Sequence, residues 1–155
     1  MRLTKIFFAI AALFALACNP NNGKEEKWVE SGTLVGEWQL TSWAGSEEAR
    51  PQIYIAFNDD DTFDLYQQSY SVVWFHYDGN FLFNNNVLSG NYADGTPLAC
   101  NYKVAFSQDG KMMRLTSMVD SSDVAIYTAS EIPSWIVEEA KDPELVRSVA
   151  ITPYL

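Results

Sequence analysis

The sequence predicts an all-β protein: an eight-stranded antiparallel up-and-down β-barrel with a short C-terminal helical segment. Three observations point there. From Leu34 onward, runs with an apolar residue at every second position recur along the chain, the period of a half-buried strand. Short polar stretches such as "NDDDT", "NNN", "ADGT" and "SQDG" separate them, and Asp and Asn beside Gly are hairpin turn chemistry. The one helical period comes after the strands rather than between them, which excludes a parallel βαβ fold and favours a closed antiparallel barrel. A chain of 155 residues that is 48 % hydrophobic and 14 % aromatic has the apolar material for one such domain.

The first 17 residues, "MRLTKIFFAIAALFALA", stand apart. Arg2 and Lys5 precede an unbroken apolar run from Ile6 to Ala17, the layout of an export signal. The run falls short of the roughly 20 apolar residues that span a bilayer. "ALAC" followed by a polar stretch resembles the lipobox of bacterial lipoproteins, with Ala15 where Leu is more usual. The resemblance implies that Cys18 is acylated and becomes the first residue, and two or three acyl chains would make a stable anchor. "NPNNGKEEK", Asn19 to Lys27, then reads as a polar tether. Its "KEE" resembles the surface-export signal near the lipidated cysteine of some Gram-negative lipoproteins, and reads equally as a solvated charge cluster. These assignments divide the chain into a signal peptide at 1–17, a lipidated tether at 18–33 and a barrel domain at 34–155.

Eight strands follow. "LVGEWQLTSWA" sets Leu34, Gly36, Trp38 and Leu40 on one face. "QIYIAFN" aligns Ile53, Ile55 and Phe57, and "TFDLYQQSY" aligns Phe63 and Leu65. "VVWFHYDGNFLF", "VLSGNYA", "LACNYKVAFS", "KMMRLTSMV" and "DVAIYTASE" complete the count. Gly79 lies inside the fourth strand, where a bulge is expected. After the strands, Pro133 suits a first helical position, with Trp135, Ile136 and Ala140 at helical spacing and Glu138 and Glu139 outside. Asp142 and Pro143 suit the start of a further turn.

Hairpin-linked strands opening on "GEW" resemble the lipocalin and calycin group, whose first strand carries a Gly-x-Trp pair; Gly36 and Trp38 hold those positions. "LSGNYADGTPLACNYKV" and "IYTASEIPSWI" are similar to small lipocalin-like lipoproteins of one group of Gram-negative gut bacteria. The resemblance implies a barrel that is filled by side chains or holds one small ligand, Trp38 packed across its floor, and no catalysis.

The formal charge is −10, and −12 once Arg2 and Lys5 leave with the signal. Such a surface repels phosphate backbones and argues against nucleic-acid binding; it also keeps an exported protein soluble and monomeric. The single histidine, His76, falls on the face opposite Val73, Phe75 and Tyr77 with no nucleophile paired to it in the pattern, so no catalytic role is assigned. Asp59–Asp61 lack the spaced ligands of a calcium loop and read as a turn, so neither metal nor cofactor is expected. The candidate barrel lining is Trp38, Phe57, Phe63, Gln67, Phe75, Tyr102 and Phe106, with Ser42 as a further polar group. Cys100 alternates with Leu98, Tyr102 and Val104 and is expected inside as a buried, inert thiol with no disulfide to Cys18.

The expected function is that of a lipid-anchored outer-membrane protein, on the periplasmic or the surface leaflet, binding a small apolar or amphipathic molecule. The alternative is a non-catalytic interaction module with a packed barrel, docking an envelope partner through its acidic surface or through Trp74 or Trp135.

Overall fold

A computed structural model describes residues 26–44, 51–69, 72–143 and 153–155. The expected signal, Cys18 and the first half of the tether, through residue 25, lie outside the described residues, as does the continuation of the turn expected after Pro143.

Each of the eight expected runs forms a strand. They are β2 (Gly36–Trp43), β3 (Gln52–Phe57), β4 (Thr62–Gln68), β5 (Phe75–Asn84), β6 (Val87–Tyr92), β7 (Tyr102–Ser107), β8 (Met112–Ser117) and β9 (Val124–Ala129). Each pairs antiparallel with its neighbours in sequence, and β9 returns to β2, so the sheet closes on itself. Closure removes the edges that an open sheet would expose. A two-residue strand, β1 (Trp28–Val29), lies within the stretch expected as tether and pairs with Ser107 and Phe106 at the end of β7. It takes up the edge that β6 leaves, because β6 meets β7 only through Val87 and Leu88.

The turns follow from local chemistry. Asn85 and Asn86 both adopt positive φ between β5 and β6, which matches the twist of a two-residue hairpin. In the aspartate turn, the Asp60 carboxylate accepts from the Thr62 backbone N–H and hydroxyl, and these bonds lower its pKa. Gly36 opens β2 at φ +144°, in a region that side chains rarely adopt.

Gly79 is not the expected bulge. β5 runs unbroken, with Gly79 opposite Phe63 on one side and Tyr92 on the other. The glycine is there for space, since a Cβ would lie 2.2 Å from the Asn91 carbonyl oxygen and 2.8 Å from the Phe63 ring. The irregularity falls in β2 instead: Leu40 pairs with Tyr127 and Ser42 with Ile126, which leaves Thr41 extra. That bulge turns Ser42 outward and Trp43 toward the core, the reverse of strict alternation.

The core is one cluster of inward-facing residues from all eight strands. One end, the floor, is aromatic: Trp38 packs on Phe106 at 6.3 Å, Phe57 on Phe81 at 5.1 Å and on Phe63 at 6.4 Å between ring centroids. The Trp38 indole donates to the Leu34 carbonyl at 2.9 Å, so its polar atom is satisfied inside. Helix α1 (Ser134–Glu139) lies against the outside of the barrel. Ile136, 1 % exposed, packs there with Tyr66 and Trp74. Trp74, expected as an exposed docking residue, is therefore covered at 4 % exposure, while Trp135 stays 50 % exposed. Lys141 then bridges to the start of β5, its N–H donating to the Trp74 carbonyl at 2.8 Å.

Candidate functional site

Antiparallel alternation sorts the seven candidate lining residues between the two ends of the barrel. All seven are buried. Trp38 at the start of β2, Phe57 at the end of β3, Phe63 at the start of β4 and Phe106 at the end of β7 belong to the floor. Their rings are in contact with one another or with Phe81, so these four act as packing. Gln67, Phe75 and Tyr102 lie toward the opposite end, the mouth, where β4 ends and β5 and β7 begin. Gln67 and Phe75 face each other across the β4–β5 pair.

The mouth holds a cavity of about 20 Å³ lined in part by Trp43, Tyr102, Leu115, Tyr127, Tyr154 and Leu155. That is room for about one water molecule. Only Tyr102 of the seven candidates lines it. Trp43 was masked by the β2 bulge, since unbroken alternation assigns that inward position to Ser42. Its indole N–H donates to the Asp123 carboxylate across the rim.

Tyr154 and Leu155 have no counterpart in the strand pattern, yet they fill the mouth. The Tyr154 N–H donates to the Gln67 side-chain oxygen at 3.1 Å, and its ring meets Trp43 edge-on at 4.9 Å. The Leu155 oxygen accepts from the Tyr92 hydroxyl at 2.7 Å and from the Ala99 N–H at 3.1 Å. Leu155 itself is buried in the main core.

Around this segment the wall is apolar with phenolic tips. Burial pushes the Tyr77 phenol up to about 12 and also raises those of Tyr92, Tyr102 and Tyr127. All four are therefore neutral hydroxyls near neutral pH, able to donate one hydrogen bond and accept others. Cys100 is half-buried rather than enclosed, because the chain from Leu98 to Asn101 precedes β7 instead of extending it. Its free thiol lies 3.2 Å from the Ser117 hydroxyl.

His76 points outward as expected. It is 2.8 Å from the Asp64 carboxylate and stacks on Tyr66 with ring centroids 4.7 Å apart. Asn58 donates to the other Asp64 oxygen at 3.1 Å. The hydrogen bond with His76 is the main cause that lowers the Asp64 pKa. This arrangement clamps neighbouring strands from outside. Among the described residues, no three His, Cys, Asp or Glu side chains gather as a metal site.

No curated protein matches the chain. A family model described as a lipocalin-like domain matches residues 34–115, which run from the entry to β2 through six whole strands, β2 to β7, into β8. That span is more than half of the chain, and with the closed eight-stranded barrel it places this protein in the lipocalin-like domain family.

Proposed function

We propose that the protein binds a small, largely apolar or amphipathic molecule at the mouth of its barrel, while anchored to the outer membrane through an acylated Cys18. A lipocalin-like barrel suggests ligand binding in general, and the family is generally non-enzymatic. The observation that carries the reading is the difference between the two ends of the interior. The floor is filled by aromatic rings in mutual contact, whereas the mouth offers neutral phenols and the Gln67 amide among apolar walls. A few polar groups in an apolar concavity give a ligand direction as well as burial.

Native mass spectrometry and solvent extraction of the purified protein test it. Retained or added amphiphile is expected at one per chain; a barrel that neither retains nor takes up any such molecule overturns it. The anchor is tested separately: Cys18→Ala should release the protein from membranes, and protease treatment of intact cells reports the leaflet.

A second reading, a packed interaction module, draws on the small size of the cavity and on Trp135 and Val137, each about half exposed on one helix. Crosslinking in intact cells that recovers one specific envelope protein through Trp135 would favour it over ligand binding.

A further inference from the structure

We propose that Tyr154–Leu155 occupies the barrel's own ligand site, so that the protein competes with its ligand in cis and the segment displays what that ligand must present. This rests on the mouth being the binding end. The segment is held as a small molecule would be held rather than as a strand. It is assigned to no strand of the sheet, and two of its polar atoms are met by separate groups of the barrel: the Tyr154 N–H by the Gln67 side-chain oxygen, and a Leu155 oxygen by the Tyr92 hydroxyl and the Ala99 N–H. Its apolar parts fill the remaining space, Tyr154 against Trp43 and Leu155 within the core.

With the segment in place only about 20 Å³ remains, too little for any ligand larger than water. A ligand can therefore enter the mouth only where Tyr154 and Leu155 leave. The groups exposed on their departure are two donors (the Tyr92 hydroxyl and the Ala99 N–H), one acceptor (the Gln67 side-chain oxygen) and an indole face or edge from Trp43. They match a small molecule that bears an acceptor oxygen, an N–H and a bulky apolar group: the oxygen on Tyr92 and Ala99, the N–H on Gln67, the apolar group against Trp43. Because the segment is tethered, its effective concentration is high, and the apparent affinity of the ligand falls by the fraction of chains whose mouth is empty.

The test compares the full chain, a chain ending at Thr152, and a full-length Tyr154→Gly/Leu155→Gly variant. The probes are anilinonaphthalene sulfonate, read by fluorescence, and the peptide N-acetyl-Pro-Tyr-Leu, read by calorimetry. The two altered chains should bind both probes at least about tenfold more tightly than the full chain. Tyr92→Phe in the shortened chain should weaken the peptide and leave the fluorophore unaffected. Folded altered chains that bind no more tightly than the full chain overturn the inference while leaving ligand binding intact. Loss of the fold in both altered chains also overturns it, since the segment would then be core and not an exchangeable occupant. Failure of all three folded chains to bind any probe overturns the ligand-binding reading itself.

Discussion

At the scale of single residues, two positions show how one side chain, or its absence, carries the local structure. Gly79 has no room for a Cβ, with the Asn91 carbonyl at 2.2 Å and the Phe63 ring at 2.8 Å from where one would stand. Gly79→Ala is expected to destabilise the barrel by about 1–3 kcal/mol, the usual range for forced overpacking, read as a lower denaturation midpoint. No change in midpoint would mean that β5 and β6 shift freely. Asp64 has its pKa lowered below the ordinary 3.8 chiefly by its hydrogen bond with His76. A depressed carboxylate contributes stability that is present above its unfolded pKa and lost as pH falls through the folded value. Asp64→Asn should therefore flatten the acid limb of the stability profile below about pH 4, with an effect under about 1 kcal/mol because the pair is partly solvated. Unfolding midpoints measured from pH 6 down to pH 2 check it. The presence of both residues is plain in the sequence. The role of Gly79 is not legible there, because alternation marks a glycine in a strand without saying whether its backbone bends or a neighbouring ring covers it.

At the scale of elements, period and turn chemistry identified all eight strands, and the exception is instructive. β2 alternates until Leu40, then Thr41 is squeezed out and Trp43 turns inward. Nothing local marks Thr41 as the extra residue; its hydroxyl reaches the Ile126 carbonyl at 3.1 Å only because β9 lies alongside. The helix shows the complementary case. Helical spacing placed Ile136 on a buried face, but which surface it covers depends on Tyr66 and Trp74 facing outward from the barrel. Ile136→Ala is expected to cost about 2–5 kcal/mol as a buried large-to-small change, with Trp74 becoming accessible to a fluorescence quencher. A stable variant with Trp74 still shielded would show that α1 is held by the Lys141 bridge to β5 rather than by its apolar face. β1 lay in a stretch without a strand period, because two residues are too few to display one.

At the scale of the whole molecule, closure decides what the interior is for. Eight strands leave space that side chains nearly fill, and here they fill it unequally: rings in contact at the floor, phenols and one amide at the mouth, and Tyr154–Leu155 between them. Trp43→Ala should enlarge the mouth and destabilise the fold, by less than the about 3–5 kcal/mol of a fully buried tryptophan, because Trp43 is only partly buried. In the chain ending at Thr152 the same change should weaken binding of the fluorescent probe, because it removes the ring against which an apolar group packs; a destabilised barrel with unchanged probe binding would place the accessible space elsewhere. The sequence by itself determined the all-β class, the number and order of the eight barrel strands and the burial of all seven candidate residues, because each rests on a local period or turn that short stretches of chain carry; the place of Trp38 at the floor was implied by the resemblance of the Gly36–Trp38 pair to the lipocalin group. The tertiary structure alone decided which of those residues face the cavity, which of Ser42 and Trp43 points inward, and that residues 154 and 155 fill the mouth. Each of these depends on contacts between segments far apart in the chain: Trp43 with Asp123, Gln67 with Tyr154, Tyr92 with Leu155. No local pattern encodes such pairings, since they exist only once the sheet has closed.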